Sequence, residues 1–373
     1  MALTTLLNFE VSPQVFVNPV DWQTLQQGMD EIFAEAGFDV PPHTVPMGAG
    51  NGSLLLYSNQ NGRSALVQSH PDGLIAVNLQ ECPKQGEKQQ MVEEQLAPLQ
   101  TRLGALFACE KSKRFPVIQR GVGPCDCYVP TADNRLVEYD FDEVVFEETT
   151  KYQNVKILHS PQYGNMLILD DDPNLAESDI AYTKAITGNG RQDYRGKDIL
   201  VLGAGDGGIL HTLRQQDPAF VTMIEIDQTV ITAATKYLRG ICFDSMDKLE
   251  GPNYKVIVDD CVPALKQYVA EGRQFDYVIN DLTAIPITTE PQGDQWDFLR
   301  LILDLSMKVL KPSGKYFTQG NGANMMEALA MYEEQLAKLS FDVDFTKETV
   351  CVPSYLEMWV FYEIWKKPYQ NGS

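Results

Sequence analysis

The sequence predicts an α/β protein whose C-terminal part is a doubly wound, mostly parallel sheet, preceded by a small antiparallel β domain and an α+β N-terminal domain. Three observations predict it. From about residue 197, apolar runs of strand length alternate with stretches of helical spacing, the mark of successive strand–helix–strand units. Residues 127–175 instead alternate residue by residue about the turn Tyr163-Gly164-Asn165. Residues 1 to about 120 combine a helical pattern with strands punctuated by Asn61-Gly62 and Asp72-Gly73. The expected domains are 1–122, 123–175 and 176–373, with "RGVGPCDCYVPTADN" as the first joint.

In the N-terminal domain, "VDWQTLQQGMDEIFAEAGF" can place Leu25, Met29, Ile32 and Phe33 on one helical face. "SLLLYSNQNGRSALVQSHPDGLIAVNLQ" supplies strands, and "EKQQMVEEQLAPLQTRLGAL" a second helix. No catalytic constellation occurs here, which points to assembly or regulation. Further on, "AESDIAYTKAIT" opens a helix with Ser178 or Asp179 near its start. Strands then fall at "DILVL", "VTMIEI", "YKVIVDD", "FDYVIND" and "GKYFTQG". Helices fit "GILHTLRQQ", "QTVITAATKYLRG", "VPALKQYVAEG", "DFLRLILDLSMKVL" and "MEALAMYEEQLAKL". The end, "FDVDFTKETVCVPSYLEMWVFYEIWKK", offers two more strands. Such a pair extends a Rossmann-like sheet to the seven-stranded methyltransferase-type variant. Ligands of these sheets sit beyond the carboxyl ends of the strands.

With 51 acidic against 30 basic residues the net charge is −21. That surface repels nucleic acid and anionic lipid and attracts cations, although it also serves plain solubility. The opening "MALTTLLNFEVSPQVF" lacks a basic segment and a long apolar core, and no apolar run reaches membrane-spanning length. Seven scattered cysteines suggest reduced thiols and a cytoplasmic setting. Cys125 and Cys127 have no second cysteine pair and no histidine nearby in sequence, so no metal site is expected.

The first strand of the alternating region ends in Gly203, Gly205 and Gly208, a G-x-G-x-x-G turn between strand and helix. The second ends in Glu225, placed to accept both hydroxyls of a ribose, with Asp227 suited to capping the next helix. The third ends in Asp259-Asp260-Cys261, where Asp260 can take the amine of adenine or cap a helix. These features suit either NAD or a sulfonium nucleoside. Asp206, in the centre of the glycine loop, favours the second. It would repel a pyrophosphate by roughly a few kcal/mol and attract a cofactor with a positive sulfur and an ammonium tail. Otherwise Asp206 caps the following helix and faces water. Asp281 ends the fourth strand across the crevice, and two carboxylates in one pocket suit a polycation. Its plainer role is a turn or cap before Thr283.

Together "GAGDGG", "EIDQ", "DDC" and "YVINDLT", in this order and spacing, resemble the polyamine aminopropyltransferases. The resemblance runs from about Tyr128 to Trp365 and includes "YQNVKILHS", "GNMLILD", "NLAESDIAYT", "GKYFTQGN" and "VPSYLEMWVFY". Within the family it is strongest to the animal members that make spermine and carry an extra N-terminal domain. Spermidine-forming members typically continue the fourth strand as Asp-Ser-Ser-Asp, whereas Asp281-Leu282-Thr283-Ala284 lacks the second carboxylate. That departure implies spermidine, not putrescine, as acceptor.

The resemblance implies decarboxylated S-adenosylmethionine as co-substrate, with no prosthetic group or metal, and spermine and 5′-methylthioadenosine as products. It implies that Gln153, Glu225, Asp260 and Cys261 hold the nucleoside at the glycine loop, and that Asp206 faces the amine end of the aminopropyl group. Tyr182, Tyr355 and Glu357 would line the acceptor channel, Glu357 pairing with a distal ammonium and Trp359 sharing its strand face. Glu177 and Asp179 would add negative potential at the mouth or form a solvated helix start. Asp281 would be the general base that frees the acceptor amine, with Tyr182 orienting the nitrogen. Asp206 would also disfavour ordinary S-adenosylmethionine, whose carboxylate would meet it. A homodimer through the N-terminal domain, itself similar to the decarboxylase that makes the donor, is expected. Spermidine or thermospermine as product, methyl transfer from S-adenosylmethionine, and an inactive scaffold are the alternatives.

Overall fold

The computed structural model describes residues 2–16, 19–46, 53–82, 93–121, 125–131, 133 and 135–367. Contacts divide the chain after Asp126 into two compact units. In the first, strands Asp39–Pro46, Ser53–Ser58, Arg63–His70, Leu74–Glu81, Ala2–Glu10 and Lys111–Arg114 lie side by side in that order, and Ile118–Arg120 also pairs with Ala2–Glu10. Helices Pro19–Glu35 and Glu93–Leu106 pack on the sheet, where Leu7, Phe9, Tyr57 and Val77 meet Met29, Phe33, Leu99 and Leu103. Met29, Ile32 and Phe33 of the expected helix face are buried, with Leu25 packed beside them. The strand Ala2–Glu10 was not expected. Its inward residues are Leu3, Thr5, Leu7 and Phe9, and the threonine breaks the apolar alternation that would have marked it. Residues 87–92 of the second expected helix, and 122–124, 132 and 134 of the joint, lie outside the described residues.

The second unit holds two sheets and a short ribbon, Tyr128–Pro130 against Leu136–Glu138. The small sheet runs Glu143–Thr149, Asn154–Ser160, Gly164–Leu169, Asp172–Ala176, each antiparallel to the next. The large sheet contains the expected strands: first Asp198–Gly203, second Phe220–Glu225, third Tyr254–Val258, fourth Phe275–Asp281, fifth Leu310–Gly322, sixth Val343–Val352 and seventh Glu357–Lys366. Their spatial order is third, second, first, fourth, fifth, seventh, sixth, and a two-residue strand, Glu250–Gly251, makes eight at the edge. The first five are parallel, and the seventh is antiparallel to both neighbours. This is the Rossmann-like, methyltransferase-type arrangement. The run "DILVL" is apolar throughout because both faces are covered: Ile199 and Val201 enter one core, Leu200 and Leu202 the other. The order reverses between the second and fourth strands at the first, so their carboxyl ends flank one crevice. The expected boundary after residue 175 lies inside this unit, before the last residue of strand Asp172–Ala176.

Candidate active site

The glycine loop leaves the first strand with a left-handed residue, Gly203 at φ 80°, followed by Ala204 at φ 67°. It enters helix Gly208–Arg214, where Asp206 Oδ1 accepts the Gly208 N–H at 2.8 Å. Asp206 is buried, not a water-facing cap, and burial raises its pKa against that N–H bond. Glu225, at the end of the second strand, bends back to the same loop. Its oxygens accept N–H groups of Gly205 (3.1 Å) and Asp227 (2.9 Å). Burial, helped by the charges of Asp227 and Asp206, raises the Glu225 carboxyl to about 7. Asp227 caps helix Gln228–Tyr237 and also accepts from the Gln153 amide at 3.3 Å, which brings Gln153 beside Glu225's strand end. Asp260 caps helix Cys261–Glu271 through Val262 N–H at 2.8 Å, and the buried Cys261 thiol is pushed up to about 12.

Asp281 pairs in register with Gly203, which sets it beside the start of the loop. Tyr182, on helix Ile180–Ile186, donates its hydroxyl to Asp281 Oδ1 at 2.5 Å. Burial first, then the charges of Asp206 and Glu225, raise Asp281 to about 7, while the Tyr182 hydrogen bond opposes them. Tyr182 packs edge-on to Tyr355 with ring centres 6.1 Å apart, and Tyr355 to Trp359 at 4.9 Å. Burial holds both tyrosine hydroxyls protonated, well above their usual range. Glu357, raised by burial, is met by Arg135 at 3.3 Å, which acts the other way.

A cavity of about 890 Å³ joins these groups. Gln153, Tyr182, Gly203, Gly205, Asp206, Glu225, Asp260, Cys261, Asp281, Tyr355, Glu357 and Trp359 all line it. Its wall carries eight carboxylates, with Asp170, Asp172 and Asp259 beside those named, and neither lysine nor arginine. A cavity of that charge attracts cations and repels anions. Two expectations are corrected. Glu177 does not face the mouth: its oxygens accept N–H groups of Gly240 and Asn165. Asp179 is neither at the mouth nor solvated but fully buried, bonded to Ser354. Sequence reasoning missed Asp170, Asp172, Asn174 and Gln319 in the wall. The first three sit at a hairpin turn whose only signal was the string "DDDPN". Among the described residues no group of three or more His, Cys, Asp or Glu is set to hold a metal ion, and no helix is long and apolar enough to cross a membrane.

Residues 179–371 match the family described as "Spermine/spermidine synthase domain". Residues 128–177 match "Spermidine synthase tetramerisation domain", and 24–121 the N-terminal part of S-adenosylmethionine decarboxylase. The polyamine aminopropyltransferase of Pyrococcus abyssi is 29% identical over 205 residues, 53% of this chain and 70% of that protein. Spermidine synthase 1 of Datura stramonium is 32% identical over 182 residues, 48% of this chain and 55% of that protein. In fold, the crystal structure of spermidine synthase from Thermotoga maritima superposes with a TM-score of 0.53 at 19% identity, over 67% of this chain and 83% of that one.

Proposed function

We propose that the chain, which belongs to the spermine/spermidine synthase family, transfers the aminopropyl group of decarboxylated S-adenosylmethionine to spermidine. The products are spermine, 5′-methylthioadenosine and a proton. Aminopropyl transfer goes with the family; spermidine as acceptor and Asp281 as base are our reading. The observation that carries it is the cavity lined by eight carboxylates and by neither lysine nor arginine, in which Asp206 and Asp281 lie near enough for the charge of one to raise the other.

Gln153, Glu225, Asp260 and Cys261 hold the nucleoside, and Asp206 attracts the amine end of the aminopropyl group. The acceptor's ammonium has no lone pair until a base takes its proton. Asp281 is that base, with one oxygen occupied by Tyr182 and its pKa raised to about 7. The freed nitrogen attacks the propyl carbon next to sulfur. The C–N bond forms, the C–S bond breaks, and the sulfonium leaves as a neutral thioether. Positioning of two cations and the charge of the wall supply most of the acceleration. Glu357, which Arg135 meets at 3.3 Å from outside the lining of the cavity, pairs with the distal ammonium of spermidine.

The test is incubation with decarboxylated donor and either putrescine or spermidine, the products separated against spermidine, spermine and thermospermine. Spermine from spermidine, with little product from putrescine, is expected. Transfer of a methyl group from S-adenosylmethionine, or preference for putrescine, would overturn the reading. We further infer a homodimer through the first unit, whose sheet leaves Leu6, Leu66 and Leu74 only partly covered. Sedimentation of the full chain should give a dimer, and of residues 123–373 a monomer; an unchanged dimer in the shortened chain would refute this.

A further inference from the structure

We infer that Asp179 is a positioning residue for the transfer: its buried carboxylate ties the helix carrying Tyr182 to the turn carrying Tyr355, and so sets where Tyr182 holds Asp281. This rests on the roles given above to Asp281 and Tyr182.

Asp179 precedes helix Ile180–Ile186, yet its side chain accepts no N–H of that helix. It is not a cap. Its Oδ2 accepts Ala176 N–H at 2.7 Å and the Ser354 hydroxyl at 2.5 Å; its Oδ1 accepts Ser354 N–H at 2.9 Å and the Ser178 hydroxyl at 3.3 Å. Two of these donors come from a residue 175 positions away. The side chain has no solvent exposure, and the titratable groups around it are the phenols Tyr139, Tyr163 and Tyr355. A buried carboxylate without a cation is costly, so only a full set of donors keeps it there.

The clamp bears on the site from two sides. The Asp179 carbonyl accepts the Tyr182 N–H at 2.9 Å, one turn before the phenol that holds Asp281. Ser354, fully buried, adjoins Tyr355, and its carbonyl accepts the Tyr139 hydroxyl at 2.7 Å. Tyr355 donates to Asn174 O at 2.5 Å and packs against Tyr182. An amide at Asp179 keeps the shape but must turn its NH2 toward at least one backbone N–H, of Ala176 or of Ser354, so one of those two bonds is lost and donor faces donor inside a buried clamp.

The test is acceptor kinetics of the full chain across pH 6–9. Asp281 is faced by Tyr182 from its helix, Asp206 from the glycine loop, Glu225 from the second strand and Tyr355 from its turn. Of these, Tyr182 alone holds its pKa down. Asp179→Asn is therefore expected to lower kcat/KM for spermidine about tenfold or more and to move the acid limb to higher pH, with donor KM within about twofold. Tyr182→Phe should show the same shift, and the double variant no further loss, since both remove one interaction. Ser354→Ala should give a smaller loss of the same form, and it decides the matter if Asp179→Asn does not fold. An unmoved acid limb, or additive losses in the double variant, would overturn the inference. A wild-type chain that transfers to no polyamine would instead refute the function proposed above.

Discussion

Asp206 and Glu225, buried, and Asp281, half-buried, share one wall, and at pH 7 charging all three is costly without a cation to meet them. Asp281 and Glu225 are both raised to about 7, and Asp206 is raised as well, burial being the first cause in each. A base works unprotonated, so acceptor kcat/KM should rise with pH through about 7 and then level. Asp281→Asn should lower kcat by about 10²–10⁴-fold with little change in donor KM. Near-normal turnover in initial-rate assays at saturating donor would remove Asp281 from the mechanism. Asp206→Asn removes a negative charge that raises Asp281. Its acid limb should therefore move to lower pH, opposite to the shift expected for Tyr182→Phe, while its donor KM rises. A shift in the same direction in both variants would contradict this electrostatic account.

At the scale of elements, the glycine loop is where three strand ends are pressed together. A methyl on Gly203 would run into the Asp281 carbonyl oxygen, and one on Gly205 would lie 2.9 Å from the Glu225 carboxyl carbon. The bareness that reads in sequence as room for a nucleoside is partly taken up by the protein's own acids. Gly203→Ala combines positive-φ strain with this clash, together roughly 2–4 kcal/mol. We expect a lower melting temperature and a loss of kcat through displaced Asp281; unchanged melting and kcat would contradict this. Loop and strands were legible because an apolar strand, a glycine turn and a helix follow one another within one short stretch, as do the acids at each strand end. What local pattern does not carry is pairing between distant segments. Asp179 read as a helix start because its partner, Ser354, lies at the far end of the chain. Arg135 opposite Glu357, and the wall supplied by Asp170 and Asp172, are hidden for the same reason. The edge strand Glu250–Gly251 is too short to show any period.

For the molecule as a whole, the chain carries a net charge of −21 and its second unit a cavity lined by eight carboxylates. Spermidine KM should rise several-fold between low and high salt, because screening shortens the reach of these charges to about 10 Å at 0.1 M. The donor, with fewer charges, should respond less, and equal responses would argue against steering by the wall. The same acids govern stability. Asp281 and Glu225 titrate near 4 in the unfolded chain and near 7 in the fold, so between those values the folded state binds more protons. Their contribution is complete below about 4 and is lost as pH rises through about 7. The free protein should accordingly melt at lower temperature at pH 8 than at pH 6. His159, raised by its hydrogen bond to Asp142, acts in the same direction, and His211, lowered by burial, in the opposite one. The quantity to read is therefore the difference between wild type and an Asp281→Asn/Glu225→Gln variant, whose melting should depend less on pH. Spermidine replaces the missing protons with ammonium groups, so it should raise the melting temperature more at pH 8 than at pH 6. Equal stabilisation at both values, or a double variant with the wild-type pH dependence, would mean that these carboxylates are not what the polyamine neutralises.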